Sequence, residues 1–396
     1  MKKIAKLSLV ASIAIGSMST SLLAADSISE AFTNGKFKGS LKSYYFAQTF
    51  DAPATKDSSI WANGGSLNYI TDSYKGISLG STFQTSHVTS IDDDSSKTKS
   101  SMDAQGSVLS EAYFAYNYKN TTFKGGRQFV STPLLAGSGS RLIKEAFEAY
   151  LLANTDIPNT TIVAGKVTKY QQRTDFTTTA PFTSANANAN GGPGEFEKIG
   201  TDGINTLYVK NTSIPNLTAQ FQYADAVDIA QLIYVDGKYN FGPVYVAAQY
   251  YNTNYDAATT QDSSMYGVKI GAKIAKVDLF AAYTSTDDDG DVVRGLGQGA
   301  YAHYTATTKT AGGNAFKAGT DSWQVGAGYT FDDLKTKLRY SEFDQPTTNT
   351  DLKETTLNLQ YDFSKQLKAQ IDYSILDYEA SNSDATDLRT RLIYSF

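Results

Sequence analysis

The sequence predicts an all-β protein: a transmembrane antiparallel β-barrel of about 18 strands, with short periplasmic turns and long extracellular loops. Three observations predict it. Apolar and polar residues alternate with a period of two along most of the chain. The connections between these segments alternate between tight turns and long polar loops. The polar faces carry charges that no dry core holds, among them Lys269, Lys273, Lys335, Lys337, Lys368, Arg389 and Arg391. An unpaired charge in an apolar interior is prohibitively costly, so these positions need water. A sheet closed on itself gives them a wet lumen and leaves no unpaired edge in hydrocarbon.

Taken in order, the chain opens on an export signal. Met1-Lys2-Lys3-Ile4-Ala5-Lys6 is a basic start, Leu7 to Leu23 is apolar or small without charge, and Leu23-Ala24-Ala25 supplies a cleavage point before Asp26. The expected division is therefore a signal peptide over 1–25 and a barrel over 26–396. Later in the chain no apolar run approaches the length of a spanning helix.

The strands come next. Thr355, Leu357, Leu359, Tyr361 and Phe363 alternate with Thr356, Asn358, Gln360 and Asp362. Leu388, Thr390, Leu392, Tyr394 and Phe396 alternate with Arg389, Arg391 and Ser395. Successive side chains of a strand point to opposite faces, so each segment has one greasy and one polar face. Segments of this kind fall near 36–50, 58–70, 76–90, 110–119, 122–130, 144–155, 160–170, 203–212 and 217–225. They continue near 230–239, 244–253, 263–274, 277–286, 321–331, 334–343, 353–363, 366–377 and 387–396. Many hold the ~9–11 residues that a tilted strand needs to cross hydrocarbon. Aromatics gather at segment ends, as in Tyr329/Phe331, Tyr361/Phe363 and Tyr394/Phe396, where interfacial girdles would lie.

Every second connection is tight, for example Asn120–Thr121, Ala275–Lys276 and Asp332–Asp333. The others are longer, up to 91–109, 171–202 and 287–320, and are rich in Asp, Ser, Thr, Gly and Asn. Loops of that length do not suit a compact soluble domain but suit the outer side of a membrane barrel. Two turns nearly repeat: Asn154-Thr155-Asp156-Ile157-Pro158-Asn159 and Asn211-Thr212-Ser213-Ile214-Pro215-Asn216. Pro fixes the backbone there, and Asn or Asp bonds it locally.

Composition excludes other classes. With no Cys, the chain has no disulfides, thiolate metal sites or Cys nucleophiles. Its two histidines, His87 and His303, do not supply a metal site or a catalytic triad, so neither an enzyme nor a cofactor is expected. A net charge of −5 argues against nucleic acid as a partner. Asp287-Asp288-Asp289-Gly290-Asp291 has oxygen ligands suited to calcium but lacks EF-hand spacing, and reads as a solvated loop. Trp61 and Trp323 read as interface anchors.

Three stretches carry a family likeness. Ala31-Phe32-Thr33-Asn34-Gly35-Lys36 leads into Leu41-Lys42-Ser43-Tyr44-Tyr45-Phe46. Ser131-Thr132-Pro133-Leu134-Leu135 is followed by Ser140-Arg141-Leu142 and Phe147-Glu148-Ala149. Asp156-Ile157-Pro158-Asn159 then precedes Ala164-Gly165. This order resembles the OprD family of substrate-specific bacterial outer-membrane porins. The resemblance implies a pore in each barrel, a constriction made by an inward-folded third loop, and a ladder of basic residues guiding carboxylate-bearing solutes. It leaves assembly as a homotrimer open. The terminal Phe396, with Tyr394 two before it, resembles the C-terminal signal read by the barrel-assembly machinery. The expected surroundings are the lipid bilayer and lipopolysaccharide of the bacterial outer membrane.

Arg141, in the loop between strands 5 and 6, is the main constriction candidate; its guanidinium can grip a carboxylate through two hydrogen bonds. The alternative is an Arg pinned to Glu145 or Glu148 to hold the loop. Arg127, Lys166, Lys337, Arg339, Arg389 and Arg391, with Glu148, complete the expected path. Asp236, Asp278, Glu354, Asp362 and Asp372 share the polar faces and oppose a purely basic lumen. The function expected is passive diffusion of small hydrophilic solutes with a preference for anions. A non-selective pore and a plugged adhesive barrel are the alternatives.

Overall fold

The computed structural model describes residues 25–52, 55–93, 105–173, 195–307, 310–345, 351–379 and 384–396. The leader before Ala25, Asp94 and the Asn186–Gly192 stretch lie outside these residues.

A short helix, α1 (Ile28–Thr33), is capped by Ser27, whose hydroxyl accepts the Glu30 N–H at 3.1 Å. The first strands are β1 (Lys36–Phe50), β2 (Ser58–Ile70), β3 (Ile77–Asp93), β4 (Gly106–Tyr118), β5 (Thr121–Gln128) and β6 (Ala146–Asn154). Next come β7 (Thr160–Gln171), β8 (Ile204–Asn211), β9 (Leu217–Ala226), β10 (Ala230–Phe241), β11 (Val244–Tyr255) and β12 (Ser263–Ile274). The last are β13 (Val277–Thr286), β14 (Asp321–Phe331), β15 (Leu334–Asp344), β16 (Leu352–Asp362), β17 (Leu367–Tyr378) and β18 (Ala385–Ser395). Each pairs antiparallel with its chain neighbours, and β1 closes the barrel on β18 in a register running from Ser40–Ser395 to Phe50–Ala385. Phe396 continues the seam: Gly39 and Phe396 exchange backbone hydrogen bonds of 2.9 and 3.0 Å.

The twin turns adopt one conformation for one reason. Asn154 accepts the Asp156 N–H and Asn211 the Ser213 N–H, each at 3.0 Å, and Asn159 and Asn216 take positive φ of 56° and 67°. Asn tolerates that left-handed backbone better than most residues. Neighbouring turns are then stitched laterally, by Thr155 N–H to Asn120 O at 3.0 Å and Thr212 N–H to Asn159 O at 2.9 Å. At the opposite end of the barrel, Glu197–Lys198 adds a two-residue pairing to Lys169 and Tyr170, an element without a sequence signal.

The two faces of the sheet separate by alternation. Phe37, Leu41, Leu67, Phe114, Leu152, Ile270, Leu338 and Leu392 are exposed on the outside, the surface that hydrocarbon covers. Trp61 and Trp323 are on this face too; Trp61 donates to Ser43 at 2.8 Å and the Trp323 ring lies 5.2 Å from Tyr340.

The lumen differs from the uniformly wet interior that the charges suggest. Leu134 and Leu135 of the third loop (129–145) and Leu296 and Phe316 of the seventh (287–320) are buried against Leu151, Val163, Ala226, Leu232 and Tyr251 of the wall. These loops fold inward and build a dry core within the barrel. The wall there offers inward Ala, Val and Leu instead of charges, so loop and wall shield each other's apolar surface.

Candidate permeation path and constriction

Two buried glutamines of the wall hold the third loop from opposite sides. Gln222 on β9 accepts the Leu134 N–H at 2.8 Å and donates to Thr132 Oγ1 at 2.9 Å. Gln84 on β3 accepts the Lys144 N–H and donates to the Lys144 carbonyl, both at 2.9 Å. A glutamine amide meets one backbone donor and one acceptor together, and in a buried site the loss of either leaves an unsatisfied group.

The seventh loop locks against the third. Leu135 and Leu296 form a parallel bridge, and Leu296 donates to the Leu134 carbonyl at 2.9 Å. Gly297 has φ +94°, and a Cβ there would stand 2.2 Å from the Ala136 carbonyl oxygen, so only glycine permits this approach. Glu145 joins the loops: its carboxylate accepts the Ser138 N–H at 2.7 Å and the Gln298 N–H at 2.8 Å, and Arg173 Nε lies 3.9 Å away. Glu145 is thus engaged with loop backbone and Arg173.

Pressed against β1 and β18, the loop tip sets three guanidinium groups on two aromatic rings. Arg141 and Arg389 lie 5.6 and 5.3 Å from the Phe46 ring, and Arg391 lies 4.8 Å from Tyr44. Cation–π contact suits weakly hydrated guanidinium groups and keeps their N–H edges available. Arg389 is also clamped by Asp387, at 2.7 Å from Nε and 3.3 Å from Nη2. Arg391 donates to Asp372 at 2.7 Å and to the Tyr44 hydroxyl at 3.3 Å. Lys42, Arg141, Gln370 and Arg391 line a cavity of about 300 Å³ between loop and wall. Burial pushes the Arg141 guanidinium down to about 9, against the upward pull of Tyr44 and with the repulsion of Arg173 and Arg389. Burial likewise lowers Lys144, with Glu111 pulling the other way.

A second basic group faces the lumen from β10, β12 and β15. Lys269 and Lys337 lie 4.2 and 4.9 Å from the Phe280 ring, and Lys238 lies 3.8 Å from Tyr245. Arg339 donates to the Ala306 carbonyl at 3.3 Å and to Asn358 at 3.0 Å, so it tethers the seventh loop to the wall. His303, in that loop, is buried 5.0 Å from Phe316 and shares a 3.0 Å hydrogen bond with Thr305, a structural setting. Asp287 and Asp291 hold the base of the same loop: Ser264 donates to Asp287 at 3.1 Å, and Lys317 pairs with Asp291 at 2.6 Å.

The expected path residues therefore divide. Arg141, Arg389 and Arg391 come together, Lys337 and Arg339 lie on the far wall, and Arg127, Glu148 and Lys166 join neither group. On β6, Ala149 and Leu151 are buried while Tyr150 and Leu152 are exposed, so Glu148 shares the outward face with Tyr150. The register sets Arg127 opposite Glu148 and Lys166 opposite Tyr150, which turns all three away from the lumen. Glu148 pairs with Lys169 at 3.2 Å, and Lys166 with Asp202 at 2.9 Å. The expectation took charge as the mark of the lumen, although alternation from outward Tyr150 and Leu152 already sets Glu148 on the outer face. Tyr44, Phe46 and Asp387 were missed as site residues; their signal was alternation placing them across the seam from Arg391, Arg389 and Gln48.

A closed antiparallel barrel with an apolar outer face and inward-folded loops has the architecture of an outer-membrane barrel. The sequence profile of the OprD family, described as outer membrane porins, matches residues 30–366, and the chain belongs to that family. It is thus a porin of the bacterial outer membrane, not an enzyme. No curated protein matches the chain by sequence. Among solved structures it is similar to Acinetobacter baumannii OccAB4, with TM-score 0.77 and 19% identity over 93% of this chain and 99% of that one. It is similar to Pseudomonas aeruginosa OpdO, with TM-score 0.76 and 16% identity over 93% and 98% of the two chains. Pseudomonas aeruginosa OpdK, solved with vanillate, gives TM-score 0.74 and 16% identity over 92% and 99%.

Proposed function

We propose that this porin passes small anionic solutes, carboxylates above all, through the gap between the third loop and the β1–β18 wall. The observation that carries the reading is the convergence of Lys42, Arg141 and Arg391 around one cavity, with Arg141 and Arg389 on the Phe46 ring and Arg391 on Tyr44. A narrow polar path focuses the field of such charges and raises the local anion concentration. Asp372 and Asp387 moderate it: they orient Arg391 and Arg389 and keep binding weak enough for release. Vanillate, with which OpdK was solved, is an aromatic carboxylate and supports the class, not the particular solute. Lys337 and Arg339 serve the path from the far wall, Arg339 by holding the seventh loop. A leader cut after Ala25 and C-terminal recognition at Phe396 complete the proposal for export and assembly, and trimerisation is left to measurement by light scattering.

The test is a salt-gradient reversal potential in planar bilayers, followed by liposome swelling with carboxylates, amino acids and sugars. Steady ohmic steps with a reversal potential favouring the anion are expected, along with faster swelling in carboxylates than in neutral sugars of equal size. Equal rates across the panel refute selectivity, and absence of steps leaves a plugged barrel.

A further inference from the structure

Three inward-facing aromatics pair with a glycine of the adjacent strand, and each ring fills the place where that glycine's side chain would begin. Phe280 on β13 pairs with Gly326 on β14, Tyr245 on β11 with Gly271 on β12, and Tyr113 on β4 with Gly80 on β3. A Cβ on Gly326 would stand 2.2 Å from Phe280 Cε1, one on Gly271 2.4 Å from Tyr245 Cζ, and one on Gly80 2.2 Å from Tyr113 Cζ. None of the three glycines has a positive φ, so the backbone itself would accept other residues there. The ring is what requires the glycine. Strand side chains otherwise stand perpendicular to the sheet, and an inward ring would then project into the lumen. Seated on a glycine, it lies against the wall instead.

Ammonium groups cover the seated rings. Lys269 and Lys337 stand 4.2 and 4.9 Å from the centre of Phe280, Lys238 3.8 Å from that of Tyr245, and Lys124 3.7 Å from that of Tyr113. Cation–π attraction keeps these lysines close to the wall as well. Two of the pairs form one row. Tyr245, Gly271, Phe280 and Gly326 are successive partners across β11–β14, and Arg339 of β15 comes next. Arg339 donates to the Ala306 carbonyl at 3.3 Å, and so does Gln324, two residues nearer the extracellular end than Gly326, at 3.1 Å. The row therefore lies beneath the seventh loop, where that loop has already narrowed the bore.

We propose that Gly271 and Gly326 are specificity-determining residues of this pore: by seating Tyr245 and Phe280 against the wall, they set the size of solute that passes beneath the seventh loop.

The test is single-channel conductance of the full-length barrel in planar bilayers, with liposome swelling in neutral mono-, di- and trisaccharides. Neutral sugars carry no charge, so this outcome and the anion preference succeed or fail separately. Gly326→Val supplies a residue that strands favour but denies Phe280 its seat, and the ring should swing into the bore. Conductance should fall about 1.5-fold, with swelling in trisaccharide falling more than in monosaccharide. Adding Phe280→Ala to Gly326→Val should restore both, because the ring and not the valine is the obstacle. Gly271→Val, alone and with Tyr245→Ala, should behave in the same way. Gly237→Val, on the outer face with nothing within 4 Å of its Cβ, should match the wild type. Heat-modifiable migration shows that each variant is folded, and Gly326→Ala, which adds a single methyl, should shift conductance in the same direction should valine prevent folding. Wild-type conductance in the folded Gly326 and Gly271 variants overturns the proposal. So does a loss that the double variants fail to reverse, or an equal loss in Gly237→Val.

Discussion

Arg141 shows how one side chain takes its role from its setting. On exposed backbone it would be a solvated cation; here it lies on Phe46, nearly out of contact with water. Arg141→Ala or Arg391→Ala should weaken carboxylate binding by about ten- to a hundredfold, as expected for loss of one charge-assisted contact of about 1.5–3 kcal/mol, and should move the reversal potential toward zero. Charge here has a pH limit. Burial lowers Arg141 to about 9 and lowers Lys144 too, so both lose their protons earlier than free side chains as pH rises. Anion preference should therefore be full at neutral pH and fall as pH climbs through about 9, read from reversal potentials across that range. Asp387 acts on stability instead: it accepts from Gln48 across the seam at 3.0 Å and clamps Arg389 on its own strand. Asp387→Ala leaves a buried guanidinium without its clamp and should cost about 3–5 kcal/mol, seen as a lower temperature of the heat-modifiable transition.

Among the elements, strands and loops were unequally legible. The spans expected for β12, β13 and β14 coincide with those observed, because alternation runs unbroken along each of them. β4 starts earlier than expected, at Gly106, since Gly106 and Ser107 give no apolar signal. Arg127, Glu148 and Lys166 were placed on the wrong face because their charge was taken to mark the lumen, although Phe123, Tyr150 and Leu152 mark the outer face two or four residues away in β5 and β6. The family resemblance implied the inward fold of the third loop, but not its lock on the seventh: Gly297 meets Ala136, and Gln298 meets Glu145, across long stretches of chain. Gly297→Ala should force the loops apart and raise single-channel conductance. Gln222→Leu should release the third loop from β9 with the same sign; unchanged conductance in both would show that the loops do not set the bore.

At the scale of the whole molecule, closure was legible and the filling of the lumen was not. Alternation and the terminal aromatics Tyr394 and Phe396 predict a sealed cylinder, and the β1–β18 ladder supplies it. The apolar inner core escaped notice because inward Ala, Val and Leu look like ordinary strand residues until a loop covers them. Among the described residues the β1–β18 seam is the one ladder between strands distant in sequence, since every other strand pairs with its neighbour along the chain. It has a topological consequence. The first and last strands end side by side, with Gly39 bonded to Phe396, so a short linker can splice them without bending the wall. New ends can then be opened at a tight turn such as Asp332–Asp333, giving a circular permutant with the same eighteen staves in rotated order and the bore unaltered.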